Sequence, residues 1–147
     1  MMKLTHIAAL AILVVSGCTK EEALPSEPEI ELLSITPLEL VQFEDNISLR
    51  IKYRDGNGDL GDENPDADVL RVKDSRLSEP DWYHVQPLAP VGSDVAIEGE
   101  LDITLNTLFL LGNGSQESTT FSIRIRDRAG NFSNEIVTPV ILIKDSL

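Results

Sequence analysis

Cysteine, histidine, aromatics and positive charge are all scarce in this chain, and each shortage excludes something. Its 147 residues hold one Cys, two His, one Trp, two Tyr and four Phe. A lone cysteine cannot close a disulfide within the chain. Seven aromatics are too few for a platform on which successive bases would stack. Lys and Arg number 12 against 25 Asp and Glu, a formal net charge of −13, whereas nucleic-acid affinity draws on clustered cations. DNA and RNA are thereby excluded as partners. Beyond the first few residues the only histidine is His84, so neither a zinc site nor a Ser-His-Asp arrangement finds its nitrogen ligands or its elbow motif. His84 reads as a strand histidine beside core aromatics. The longest apolar run, residues 7–15 (IAALAILVV), is far below the roughly 20 residues a membrane-spanning helix needs.

What that short run does fit is a secretory leader: Lys3 precedes it, and the small residues Ser16 and Gly17 follow it directly before Cys18. Val15-Ser16-Gly17-Cys18 resembles the bacterial lipobox, which implies that the Cys18 thiol is lipidated, the peptide before it is removed, and the chain is held by several acyl chains. One acyl chain binds a bilayer only marginally, but two or more hold firmly, at about 0.8 kcal/mol per buried methylene. Thr19-Lys20-Glu21-Glu22 resembles the export signal of surface lipoproteins of the Bacteroidota; without that resemblance it is an acidic linker. Glu21, Glu22, Glu27, Glu29, Pro25 and Pro28 make a stretch that cannot bury apolar area. The expected organisation is a leader over 1–17, a lipidated cysteine with a flexible acidic tether over 18–29, and one domain over 30–147, in keeping with about 150 residues per domain.

Within the domain, apolar residues alternate with polar ones. Ile47, Leu49, Ile51 and Tyr53 point one way, while Ser48, Arg50, Lys52 and Arg54 point the other, the period-two pattern of a strand with one wet face. The pattern returns at Leu101, Ile103 and Leu105 and at Thr119, Phe121, Ile123 and Ile125, and residues 135–143 form a fourth run. Residues 30–36, 69–73 and 83–86 are weaker strands, separated by Gly, Pro, Asn and Asp clusters. About seven strands in this length predict an all-β fold, an immunoglobulin-like β-sandwich. Residues 106–111 (NTLFLL) are a candidate helical turn between sheets. Pro139 predicts an edge strand or a bulge in the last run. Asp127-Arg128-Ala129-Gly130-Asn131 joins two strands as a tight turn, with glycine where a hairpin needs positive φ.

Residues 55–68 (DGNGDLGDENPDAD) carry six carboxylates and no cation. Each like pair at about 4 Å costs on the order of 1 kcal/mol even in water, so a positive partner is expected. Asp55, Asn57 and Asp59 place oxygen ligands at alternate positions among glycines, as a hard cation of the Ca²⁺ type requires. The stretch is no EF-hand: Leu60 occupies the sixth position, where that loop needs Gly, Gly61 arrives one late, and the twelfth residue is Asp66 in place of Glu. It also satisfies G-x-G-x-x-G, but Asp62, Glu63 and Pro65 follow where a helix N-terminus would have to receive a pyrophosphate. A nucleotide is excluded.

Residues 53–61 (YRDGNGDLG) resemble a motif of small Bacteroidota surface lipoproteins, in which a DGDGDLG-like loop follows an early strand of an immunoglobulin-like domain. Here Asn57 replaces the middle acid, keeping an oxygen and dropping a charge. Residues 123–134 (IRIRDRAGNFSN) resemble the closing hairpin of such domains. The resemblance implies a calcium role for Asp55, Asn57, Asp59 and Gly61, with Asp127 near the loop to complete the site. From its residues alone, Asp127 is a solvent-facing turn aspartate, and the part played by the acids of residues 62–68 stays open.

The expected protein is a lipid-anchored, surface-exposed, calcium-stabilised binding or accessory module of the bacterial outer membrane, and not an enzyme. Its partner is open between an envelope protein and a glycan, and its oligomeric state is not set. The alternative is a small glycan-active hydrolase using acidic residues near Trp82, whose ring, like that of Tyr83, either stacks on a sugar or packs in the core.

Overall fold

The computed structural model describes residues 24–146; the leader, Cys18 and Lys20-Glu21-Glu22 lie outside the described residues. Ten strands form: β1 (Glu29–Thr36), β2 (Glu39–Val41), β3 (Ile47–Asp55), β4 (Leu70–Asp74), β5 (Asp81–Tyr83), β6 (Ile97–Leu105), β7 (Gln116–Thr119), β8 (Phe121–Ile125), β9 (Ile136–Val137) and β10 (Ile141–Lys144). No helix occurs among the described residues, and the expected all-β sandwich is what forms. Its sheets run β1-β3-β6, β2-β10-β7 and β5-β4-β8-β9.

The strand count rises from the expected seven to ten for local reasons. The run through Thr119 breaks at Thr120, so that β7 pairs with β10 while β8 pairs with β4. The last run breaks at Pro139, which has no N–H to give a ladder, and the Thr138 hydroxyl takes over by accepting the Phe121 N–H at 2.9 Å. The three-residue β2, too short to show a period, lies parallel to β10. Residues 106–111 are not helical. Instead Glu117 accepts the N–H groups of Leu111 and Gly112, and Gln42 accepts that of Leu110, so side chains satisfy backbone that a helical turn would have satisfied internally.

β3 carries the centre of the core. Ile47, Leu49 and Ile51 are fully buried and pack in one cluster with Leu70, Val72, Ile123, Ile125, Ile141 and Ile143 from the other sheets. On the opposite face Arg50, Lys52 and Arg54 stand across from Asp102, Glu100 and Glu98 of β6. The Arg50–Asp102 pair is bidentate, at 2.6 and 3.0 Å, but exposed pairs of this kind contribute little.

One buried ion pair does more. Asp74, at the end of β4, accepts hydrogen bonds from the Arg76 guanidinium (2.7 Å to Nη2) and from the Thr119 hydroxyl of β7 (2.5 Å). Arg76 also reaches Glu117 of β7 at 2.8 Å. Burial alone pushes the Asp74 carboxyl up, yet the Arg76 and Thr119 hydrogen bonds outweigh it and hold the carboxyl below its ordinary 3.8. A depressed native value means that this contribution to stability is present above the ordinary carboxyl range and is lost as pH falls through the native value. Asp74→Asn leaves Arg76 buried beside a neutral partner. It should lower unfolding stability by about 3 kcal/mol at pH 7, measured by urea denaturation, and the gap between wild type and variant should close as pH falls through the native Asp74 value.

Candidate metal centre

The acidic loop leaves β3 at Asp55, and the fold pins it on both sides. Leu60, fully buried, anchors it in the core; its carbonyl accepts the Leu88 N–H at 3.0 Å, and the Asp62 N–H donates to Val85 at 2.9 Å. On the other side Leu60 forms a β-bridge with Asp127, and the Arg128 N–H donates to the Asp59 carbonyl at 3.1 Å. Gly58 and Gly61 hold φ of 70° and 81°. A Cβ on either would strike a backbone carbonyl, that of Val95 or of Gln86 respectively, so only glycine fits both the dihedral and the space.

This pinning drives polar oxygens inward. Asp55 is fully buried and Asp127 is 5% exposed. One oxygen of Asp55 accepts the Asp59 N–H at 2.8 Å. Its other oxygen, Oδ1, is enclosed with no hydrogen-bond partner, and so are Asn57 Oδ1 and Asp59 Oδ1. Three orphaned oxygens at positions i, i+2 and i+4 of one loop are costly, because a buried acceptor without a partner loses its hydration for nothing.

The carboxyl groups also repel one another. Burial, then the charge of Asp127, pushes Asp55 above its ordinary 3.8, against the pull of the loop's N–H groups. Burial, then the charges of Asp127 and Asp55, pushes Asp59 up as well, with the Ala129 N–H and then the charge of Arg128 pulling the other way.

Asp127 lies near enough for its charge to act on Asp55 and Asp59, with Asn57 between those two in the loop, but the three carboxylates do not close into a ligand group of their own. Asp127 is an interior residue and not a solvent-facing turn aspartate, but its two oxygens already accept from the Asn131 N–H (2.7 Å) and from Asn131 Nδ2 (2.9 Å). A carboxylate oxygen has a second lone pair, so this does not remove it from a coordination shell. Gly61 takes a different part from the one expected of it: its carbonyl accepts Arg128 Nη1 at 2.8 Å, and a guanidinium there keeps a cation away.

Arg128 is the residue that sequence reasoning missed. It sits 67 positions from Gly61, and no local pattern joins a hairpin arginine to a distant loop. The remaining acids face solvent. Asp62 Oδ1 accepts the Asn64 N–H and Asn64 Oδ1 accepts the Asp66 N–H, so this half of the loop caps its own backbone outside the site.

Among the described residues no three His, Cys, Asp or Glu side chains converge as a ligand group of their own. The unpartnered donors here are two carboxylates and an amide, all oxygen, which suits a hard cation that draws further oxygens from backbone and water.

The other sequence candidates lie elsewhere. Trp82 packs against Phe132 (centroids 6.3 Å apart), with the Arg126 guanidinium 5.5 Å from its ring, so its ring is covered. The Tyr83 hydroxyl accepts the Asn106 N–H at 3.4 Å. His84 follows β5 with both ring nitrogens enclosed and unpartnered, so no nucleophile or acid is hydrogen-bonded to it.

No family model matches the chain, and no curated protein matches it. A solved structure of the SrpA adhesin from Streptococcus sanguinis, in a mutant form, is similar at 17% identity with a TM-score of 0.40, over 83% of this chain and 58% of that one. The chain thus spans a little over half the length of that adhesin chain.

With the loop free of cations, the raised native carboxyls of Asp55 and Asp59 give stability that grows as protons bind. It should therefore rise as pH drops from 7 toward the raised values, and should fall as pH climbs back through them. Asp55→Asn, which keeps an acceptor for the Asp59 N–H, should raise the melting temperature in chelator at pH 7 and flatten this dependence; calorimetry at stepped pH checks both.

Proposed function

We propose that this protein is a calcium-stabilised, lipid-anchored immunoglobulin-like module displayed on the bacterial outer membrane, acting by binding. The observation that carries the reading is the set of enclosed, unpartnered oxygens on Asp55, Asn57 and Asp59. A divalent cation at this loop takes oxygens from Asp55, Asn57 and Asp59 and offsets the burial and the neighbouring charges that raise the Asp55 and Asp59 carboxyls. Asp127 adds charge at the rim, and Asn131 fixes its orientation.

Support for a binding role comes from the far end of β3. Beyond the rung where Ile47 pairs with Leu105, Phe43 adopts φ of 63°, a left-handed backbone that costs a bulky side chain roughly 1–2 kcal/mol. Its ring is 65% exposed and lies flat on Phe109, itself 47% exposed, with centroids 5.7 Å apart. Paired aromatics held in solvent against a backbone penalty suit contact with a partner. The lipid anchor at Cys18 and the export signal at Lys20-Glu21-Glu22 remain part of the proposal on sequence grounds. A glycan-active hydrolase built around Trp82 is not advanced, since Phe132 and Arg126 cover that ring.

Calcium at about 100 times its dissociation constant should stabilise the fold by about 2.7 kcal/mol and raise the melting temperature by about 8 °C. A chelator should reverse this, and magnesium at the same concentration should not reproduce it. Asp55→Ala and Asp59→Ala should each abolish the calcium increment; a melting temperature indifferent to calcium in the wild type overturns the reading.

Placement is tested separately. Protease added to intact cells should digest the domain, and mutation of Lys20, Glu21 and Glu22 to Ala should protect it. Protection of the unmutated protein puts the domain on the periplasmic side.

A further inference from the structure

The last stretch of the expected tether is not free in the structure. Before β1 begins, the Pro25 carbonyl accepts the Gly56 N–H at 2.8 Å, and Pro28 is buried. Gly56 lies between Asp55 and Asn57, two of the three residues with orphaned oxygens. A Cβ at Gly56 would fall on the carbonyl oxygens of Leu24 and Pro25, 2.5 Å from the latter. Its φ is outside the left-handed region, so the glycine is needed there for the close approach of the incoming chain and not for its own dihedral.

We infer that cation binding at the Asp55 loop clamps the N-terminal lead-in onto the domain: an occupied loop presents the Gly56 N–H to Pro25, and an empty one lets residues 24–28 go. The inference rests on the calcium reading and adds a regulated part to it. A cation bridging Asp55, Asn57 and Asp59 fixes every dihedral on either side of Gly56, so the direction of its N–H follows from occupancy. Without the cation, the repelling carboxylates of Asp55, Asp59 and Asp127 relax by moving the loop apart, and the hydrogen bond to Pro25 goes with it. For a domain held from its N-terminal side, release lengthens the leash by about five residues, roughly 17 Å when extended. Coupling of this kind is reciprocal: docking of the lead-in raises calcium affinity as much as calcium favours docking.

Hydrogen exchange of the full chain in detergent, in 1 mM Ca²⁺ and in EDTA, reads the clamp directly. The Gly56 amide, which donates to Pro25, should exchange at least tenfold more slowly with calcium. In Gly56→Ala, whose Cβ displaces Pro25, the residue-56 amide should exchange fast in both conditions, while calorimetry shows calcium still bound about fivefold more weakly. Replacement of Leu24 and Pro25 by Gly-Gly leaves the loop intact and should reproduce both effects. If calcium binds the wild type but the exchange of the Gly56 amide is the same with and without it, the clamp is overturned and the ion site stands. If calcium gives neither heat nor protection in the wild type, the ion site falls and the clamp falls with it.

Discussion

Crowding of negative charge inside a folded loop is the constraint on which the rest of this structure turns. A carboxylate that reaches the interior must be paired, hydrogen-bonded or neutralised. Asp55 is fully buried at the end of a core strand, with only one of its oxygens bonded. It is there because Ile51 and Tyr53, four and two positions earlier, commit that face of β3 to the core, and period-two geometry sends the next residue of the series inward as well. Leu60, Gly58 and Gly61 then fold the loop back tightly, and Asn57 Oδ1 and Asp59 Oδ1 are enclosed without partners as Asp55 Oδ1 is.

The same fold shows what a settled buried carboxylate looks like. Asp74 also ends a strand facing inward, and Arg76, Thr119 and the Arg76 backbone N–H fill its acceptors. Its carboxyl is pulled down, while those of Asp55 and Asp59 are pushed up. Two inward aspartates on neighbouring sheets thus carry opposite electrostatic signatures. Arg128 could have supplied for Asp55 what Arg76 supplies for Asp74, but its guanidinium is spent on the carbonyls of Gly61 and Gly58. The unfilled demand at Asp55 is therefore specific to this loop and not a general feature of how the chain buries its acids.

The elements most legible in the sequence were those governed by a local period. β3 follows the Ile-x-Leu-x-Ile alternation almost to the residue, and β6 contains the Leu-x-Ile-x-Leu alternation but starts four residues earlier, at Ile97. Asp55, Asn57 and Asp59 were legible because their spacing is itself the signal. What escaped depends on long-range contact. β2 exists because β10, a hundred residues later, runs beside it. The breaks at Thr120 and Pro139 divide single apolar runs between two sheets, a division that alternation alone does not mark. Arg128 and the docking of Pro25 on Gly56 each join segments far apart in the chain. Composition marked residues 20–29 as unable to bury apolar area, yet within the described part of that stretch Pro28 is buried, Glu29 opens β1 and one hydrogen bond seats Pro25.

The position of the loop gives its charge a mechanical meaning. Asp55 belongs to the β1-β3-β6 sheet, while Asp127 opens the hairpin that follows β8 in the β5-β4-β8-β9 sheet, and the Leu60–Asp127 bridge and Arg128 join the loop to that hairpin. Like charges on the facing edges of a sandwich push its sheets apart; a cation between them draws the same edges together. The sign of the force between the two sheets at this end thus follows from what sits among three or four oxygens. At the other end of β3, about 26 Å away for nine residues of strand, the exposed Phe43–Phe109 pair is held by Gln42, Glu117 and the Leu108 carbonyl, none of which touches the loop. On the calcium reading proposed above, the domain responds to ions at the loop end and keeps its aromatic surface fixed at the other, because the core of β3 separates the two.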